Sequence, residues 1–217
     1  MTDWSRGSWT REPAAAALDA EGSLVVEAVD GSDWWRDTAY GFRHEDGHGL
    51  LAPWAPGTAV EVTFALEGFT GEFDQAGLVI VVDDATWIKA GVEQSDGHPQ
   101  LGAVVTLGAS DWSTGRVDDW TGRAVTVRAS RIADAVVIRA RSRPLDADAA
   151  TPDAAAPDGA APASADDWRL VRVARFPEGD ARIGPMLCGP TRAGFAVRFL
   201  DWRETAPDLE LHAAPPS

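Results

Sequence analysis

In residues 86–97, TWIKAGVEQSDG, two kinds of side chain alternate. Trp87, Lys89, Gly91 and Glu93 share one parity; Ile88, Ala90 and Val92 share the other. Successive side chains of a strand point to opposite faces. Read as a strand, this stretch has one aliphatic face and one face carrying an indole, an ammonium and a carboxylate in a row. That row is either an ordinary wet sheet face or the floor of a site.

The period-two pattern extends outward in both directions. In AVEVTFALEG (59–68), Val60, Val62, Phe64 and Leu66 fall on one face, with Glu61 and Thr63 opposite. GLVIVV (77–82) is apolar on both faces, as a strand covered on both sides requires. AVVTL (103–107), AVTVRASR (124–131), AVVIRARSR (135–143), WRLVRVARF (168–176) and FAVRFLDW (195–202) continue the series. Turn-forming clusters at VDGSD, EDGHG, VDDATW and QSDGHPQ separate them. Short alternating strands between such turns predict an all-β sandwich or barrel. Only REPAAAALDAEG (11–22) offers room for a short turn of helix.

Residues 146–167, DADAATPDAAAPDGAAPASADD, break the pattern. They contain no large apolar side chain and cannot bury enough surface to offset the entropy of ordering. The segment reads as a flexible insertion between two strands. Only about 50 residues follow it, too few for a confident second domain. The expected organisation is therefore one domain over 1–217.

The chain carries 34 Asp and Glu against 19 Lys and Arg, a net charge of -15. Such a surface repels a nucleic-acid backbone and an anionic membrane. No stretch approaches the roughly 20 apolar residues of a membrane-spanning helix. The start, MTDWSRGSW, has no signal-peptide core. A lone cysteine, Cys188, excludes an internal disulfide, so a cytoplasmic location is expected. Ten tryptophans stand beside one tyrosine. Some must be core, and others are available to line a groove.

HEDGH (44–48) matches H-E-x-x-H, but the zinc motif needs a helix, and Asp46-Gly47 is a turn signal. No metal site is expected; His48 is left as a residue facing a groove. GEFDQAGL (71–78) sets Asp74 and Gln75 before the doubly apolar strand, either as a turn or as a carboxylate and amide at a sheet rim. SDWWRDTAYGF (32–42) concentrates Trp34, Trp35, Arg36 and Tyr40, with Arg36 and Tyr40 on the parity of Trp34. ASDWS (109–113) repeats the theme with Asp111 and Trp112. Rings that stack on sugar faces and charged groups that bond hydroxyls come from this set. Aromatic-charge packing at a sandwich edge uses the same residues. No G-x-S-x-G elbow, G-x-G-x-x-G or P-loop appears, which argues against a nucleotide cofactor. Cys188, in MLCGP, reads as a buried thiol.

SDWWRDTAYGF, GHGL, FDQAGLVIVVDDATWIKAGVEQSDG, SDWS, RIGPMLCGP and GFAVRF occur in one order across Trp9 to Trp202. This series resembles a bacterial and fungal family of unknown function, also called regulation of enolase protein-like, within the concanavalin A-like lectin/glucanase superfamily. The resemblance implies a two-sheet antiparallel jelly-roll sandwich with a concave face, and puts Trp87, Lys89 and Glu93 on that face. Glucanases of this superfamily carry an E-x-D-x-E strand that supplies two carboxyls; this chain has none. The resemblance implies little about activity; the polar-aromatic row opposite an aliphatic one favours carbohydrate or small-polyol binding. Trp87 would stack; Lys89, Glu93, Asp74 and Gln75 would bond hydroxyls; Trp35, Arg36, Tyr40, Asp111 and Trp112 would wall the cleft. Two alternatives stand beside it. One is a glycoside hydrolase or lyase with Glu93 and Asp74 as the acid/base pair. The other is a regulatory module acting on a metabolic enzyme. Lys89 beside Glu93 is expected to lower the Glu93 pKa.

Overall fold

The computed structural model describes residues 2–145 and 168–216. The 146–167 segment lies outside them; the strands that flank it, Ala135–Pro144 and Arg169–Arg175, pair antiparallel. Two seven-stranded antiparallel sheets pack face to face as a jelly-roll sandwich. The first sheet runs, in spatial order, β1 (Ser8–Trp9), β6 (His48–Pro53), β15 (Arg182–Cys188), β8 (Gln75–Asp83), β9 (Thr86–Ser95), β10 (His98–Leu107), β11 (Ser110–Arg116). The second runs β14 (Arg169–Arg175), β13 (Ala135–Pro144), β12 (Arg123–Ile132), β7 (Ala59–Ala65), β16 (Ala196–Thr205), β3 (Leu24–Glu27), β2 (Ala15–Leu18). Among the described residues, no helix is long and apolar enough to cross a membrane.

The alternation sets the core. Leu78 and Ile80 of β8, Ile88, Ala90 and Val92 of β9, and Ala103 and Val105 of β10 face inward. They join Val62 and Phe64 of β7, Val125 and Val127 of β12 and Phe199 of β16 in one buried cluster. Each large aliphatic or aromatic side chain removed from water there contributes about 1.5–3 kcal/mol. REPAAAAL departs from its sequence reading. Ala15–Leu18 forms edge strand β2, paired residue for residue with β3. Sheet pairing overrides the weak helical preference of an alanine run.

The opposite face of the first sheet is not bare. A two-stranded hairpin, β4 (Trp34–Arg36) with β5 (Arg43–Glu45), lies over it. A second apolar cluster forms underneath from Trp34, Trp35, Leu51, Val79, Val81, Trp87, Val104, Met186 and Cys188. This explains why GLVIVV is apolar on both faces. Asp46-Gly47 is the step from β5 to β6, not the turn of a hairpin. A Cβ on Gly47 would sit 2.0 Å from Cδ1 of Trp34 and 2.6 Å from Sγ of Cys188. Glycine is required there because the chain passes against an indole.

The outer face of the second sheet is covered by the chain's end. Arg128, fully buried, donates to Asp208 at 2.8 Å and to Glu61 at 2.9 Å, and Arg139 donates to the other Asp208 oxygen at 2.8 Å. One carboxylate thus pins the C-terminal strap across β12 and β13.

Candidate functional site

Strand register places the polar row. Glu93 of β9 lies between Gln75 of β8 and Gln100 of β10, and Lys89 lies between Val79 and Val104. Between these two rungs, Gly77, Gly91 and Gly102 are mutual partners. A Cβ on Gly77 or Gly91 would meet the facing strand's backbone at 2.0 Å, so the floor there is bare main chain.

The hairpin raises a wall over this floor. Its apex, between Arg36 and Arg43, has Asp37, Ala39 and Gly41 in the left-handed region, at φ of 63°, 61° and 71°. It is closed by the Asp37 amide donating to the Phe42 carbonyl and by a bidentate Arg43–Asp37 pair. The turn carries Tyr40 onto Trp35, with ring centroids 5.4 Å apart. Phe42 stacks on Tyr40, and His44 meets Phe42 edge-on. Across the opening, Trp112 of β11 stands perpendicular to Trp35 at 6.5 Å. Together with Phe73 and the floor residues Asp33, Gln75, Lys89 and Glu93, these rings enclose about 250 Å³. That lies just under the roughly 300–1,000 Å³ of drug-sized ligand pockets. Phe73 is itself held at φ 64°, a strained backbone in the pocket wall.

Asp33 organises the floor. One of its oxygens accepts from the Lys89 ammonium at 2.9 Å, from the Gln75 amide at 3.1 Å and from the Trp34 backbone at 2.7 Å. Lys89 also donates to Oε1 of Gln75 at 2.6 Å. Burial, the largest single influence, would lower the Lys89 pKa; Asp33 together with Cys188 and Glu93 outweighs it and holds the ammonium above its ordinary value. Glu93 behaves oppositely. Its carboxyl has no hydrogen-bond partner among the described residues, and the residue is half-buried in the pocket lining. Burial pushes it up to about 7, opposed by Lys89 and reinforced by Asp33 and Glu72. Lys89 does pull the Glu93 pKa down, as expected, but desolvation outweighs that pull and the net shift is upward.

Of the sequence-predicted site residues, Trp35, Tyr40, Gln75, Lys89, Glu93 and Trp112 are brought together around the pocket. Five are not. Trp87 is fully buried under the hairpin, edge-on to Trp34 at 5.6 Å, and offers no face for stacking. His48 is fully buried too: its Nε2 accepts from the Val29 amide at 3.0 Å and its Nδ1 donates to the Arg11 carbonyl at 3.1 Å. Burial lowers its pKa, so the neutral ring is a structural link. Arg36 turns outward to Glu45 and to the carbonyls of Gly108 and Asp84. Asp111 faces β14 and pairs with Arg172 at 3.0 Å. Asp74 accepts from Thr70 and Gly71 and binds Arg192 at 2.6 Å, tying two loops together. Turned that way, it provides no second carboxyl beside Glu93. The carboxylate the sequence reading missed is Asp33, in the quoted SDWW stretch. Its signal was position, immediately before a paired-indole strand. Tyr40 does not follow the parity of Trp34, because a turn rather than a strand carries it. No group of three or more His, Cys, Asp or Glu among the described residues is arranged to hold a metal ion.

Comparison with known proteins agrees with this architecture. Residues 9–207 match the family described as "Protein of unknown function (DUF1349)". The chain is 36% identical to "Regulation of enolase protein 1" of Saccharomyces cerevisiae, over 95% of this chain and 92% of that one. A crystal structure of a functionally unknown S. cerevisiae protein superposes with a TM-score of 0.77 at 32% identity, covering 95% and 99% of the two chains. The carbohydrate-binding module CBM66 of Bacillus subtilis shares the fold at 14% identity, with a TM-score of 0.53 over 95% and 99%. A Bacillus halodurans xylan beta-1,4-xylosidase does so at 14% identity, with a TM-score of 0.61, covering 94% of this chain and 38% of that one. The chain belongs to the DUF1349 family.

Proposed function

We propose that this DUF1349 member binds a small carbohydrate or polyol in the pocket between the β4–β5 hairpin and the sheet face beneath it. The reading treats the chain as one cytoplasmic domain. The observation that carries it is the Glu93 carboxyl, set without a partner at the floor of an aromatic-walled pocket whose other polar groups are already satisfied. A half-buried carboxyl with no protein donor is open to a ligand that supplies donors. Hydroxyl groups do so, while Tyr40, Phe42 and Trp112, the exposed rings, cover the ligand's C–H surfaces. The pocket volume fits one ring rather than a chain.

Calorimetric titration against a panel of neutral mono- and disaccharides and linear polyols tests this. At least one should bind more tightly than millimolar, and Glu93→Ala should weaken it about ten-fold, the loss of a hydrogen bond to a charged or strongly polar group. A panel with no such ligand, or an unchanged affinity in Glu93→Ala, overturns the reading. A second reading, regulation of a metabolic enzyme, is favoured by the name of the yeast relative, which aligns along nearly the whole chain. Retention of enolase on the immobilised protein supports it, and its absence at micromolar concentrations counts against it.

A further inference from the structure

We propose that the ligand carries a cationic amine, with the ammonium held against the exposed rings of Tyr40 and Trp112 and Glu93 as its counter-ion. The inference deepens the polyol reading and rests on it; the ligand class it names is an amino sugar with a free amine.

The rings are the first argument. Tyr40, Phe42 and Trp112 are exposed at the pocket, and Tyr40 and Trp112 stand in edge contact with the buried Trp35 at 5.4 and 6.5 Å. Open aromatic faces attract a cation as well as the C–H surface of a sugar. The charge balance is the second. Lys89 is the one Lys or Arg lining the pocket among the described residues, and its charge is matched by Asp33. An anion would find no uncommitted cation and would meet two carboxyls. A cation instead completes Glu93, whose carboxyl is otherwise unpaired. The net charge of -15 favours the same sign of ligand at long range.

Binding a cation requires Glu93 to ionise. Below about pH 7 the ligand must therefore displace a proton from it, and affinity falls by up to about ten-fold per pH unit. The titratable groups facing Glu93 or the pocket are Asp33, Lys89, Glu72, Tyr40 and His44. Measurement on Glu93→Gln separates its titration from theirs.

The test titrates the full chain at pH 7.5 with glucosamine, N-acetylglucosamine, glucose and choline, and with choline again from pH 5.5 to 8. Glucosamine should bind about ten-fold more tightly than glucose or N-acetylglucosamine, a cation–π and ion-pair gain of modest size. Glu93→Gln should abolish that preference, leave glucose within about threefold, and flatten the choline pH profile. Trp112→Leu, a change at an exposed ring that leaves the core intact, should also weaken choline. Equal affinity for glucose and glucosamine overturns the cation inference and leaves the polyol reading standing. Binding of choline with no sugar overturns the amino-sugar assignment together with the polyol reading. A pH profile unchanged by Glu93→Gln overturns the counter-ion role, and no binding by any titrant overturns both readings.

Discussion

Replacing Glu93 with glutamine should stabilise the protein, and only above about pH 5. The side chain keeps its shape and loses its charge. In the folded protein the carboxyl titrates at about 7, against an ordinary 4.5. Below 4.5 the group is protonated in both folded and unfolded chains and contributes nothing. Between 4.5 and 7 the unfolded chain ionises while the folded one does not, so wild-type stability falls as pH rises. Above 7 the loss is complete. The gap corresponds to about 3 kcal/mol at about 1.4 kcal/mol per unit. Glu93 keeps some solvent contact through the pocket mouth, so screening brings the expected gain to about 1–3 kcal/mol. For a chain of this size that is a rise of about 2–12 °C in Tm at pH 8. Urea denaturation of both proteins from pH 4.5 to 8.5 gives the difference curve, in which the titration of other groups largely cancels. The curve should start near zero and climb to a plateau by pH 8. A flat curve, or a glutamine variant less stable at pH 8, would show that Glu93 has a partner and refute the reasoning on which the pocket rests.

Lys89→Met leaves the Asp33 carboxylate without its cation and should cost about 3–5 kcal/mol in urea denaturation. Adding Asp33→Asn should recover much of that loss, since the pair is then neutral. Asp208→Ala removes the shared acceptor of Arg128 and Arg139 and should cost about 3–5 kcal/mol by the same measurement. Limited proteolysis should then cut the released C-terminal strap. Gly47→Ala drives a Cβ into the Trp34 ring and should cost about 1–3 kcal/mol. It should also shift tryptophan fluorescence and weaken sugar binding, because the β4–β5 hairpin must lift.

Period-two alternation was enough to expose the strands and the inter-sheet core, because a strand buried on one face must write that face into its sequence; the choice of sandwich over barrel came from the family resemblance. The site was legible only in part, and the failures share a cause. Trp87 has the parity of Lys89 and Glu93, and alternation correctly groups them on one face. It does not say how far along that face a covering segment reaches. The hairpin lies over Trp87, turning it into core, and stops short of Glu93, leaving it in a pocket. His48 and Asp74 failed differently. Both are polar residues beside turns, where side-chain bonds to the backbone are as natural as ligand contacts. His48 indeed accepts from one amide and donates to one carbonyl, and Asp74 accepts from two amides.

Asp33 shows what a sequence reading of such a sheet face omits. Lys89 and Glu93 are four residues apart on one strand, roughly 13 Å along it, and the pattern invites reading them as an ion pair. The competing carboxylate comes from 56 residues away, carried in by the segment that also brings Trp35 and Tyr40. Because Asp33 takes the lysine's hydrogen bond, Glu93 is left without a direct ion-pair partner in the pocket. The hairpin therefore does more than wall the pocket. By engaging Lys89 through Asp33 it leaves Glu93 without a direct partner, so the charge balance of the floor is set by the loop above it. Variation in residues 33–44 among relatives with this same sheet should accordingly change which ligand is bound before any substitution on β9 does. Exchange of that segment between two family members, followed by the same titrations, would test this: ligand preference should travel with the hairpin.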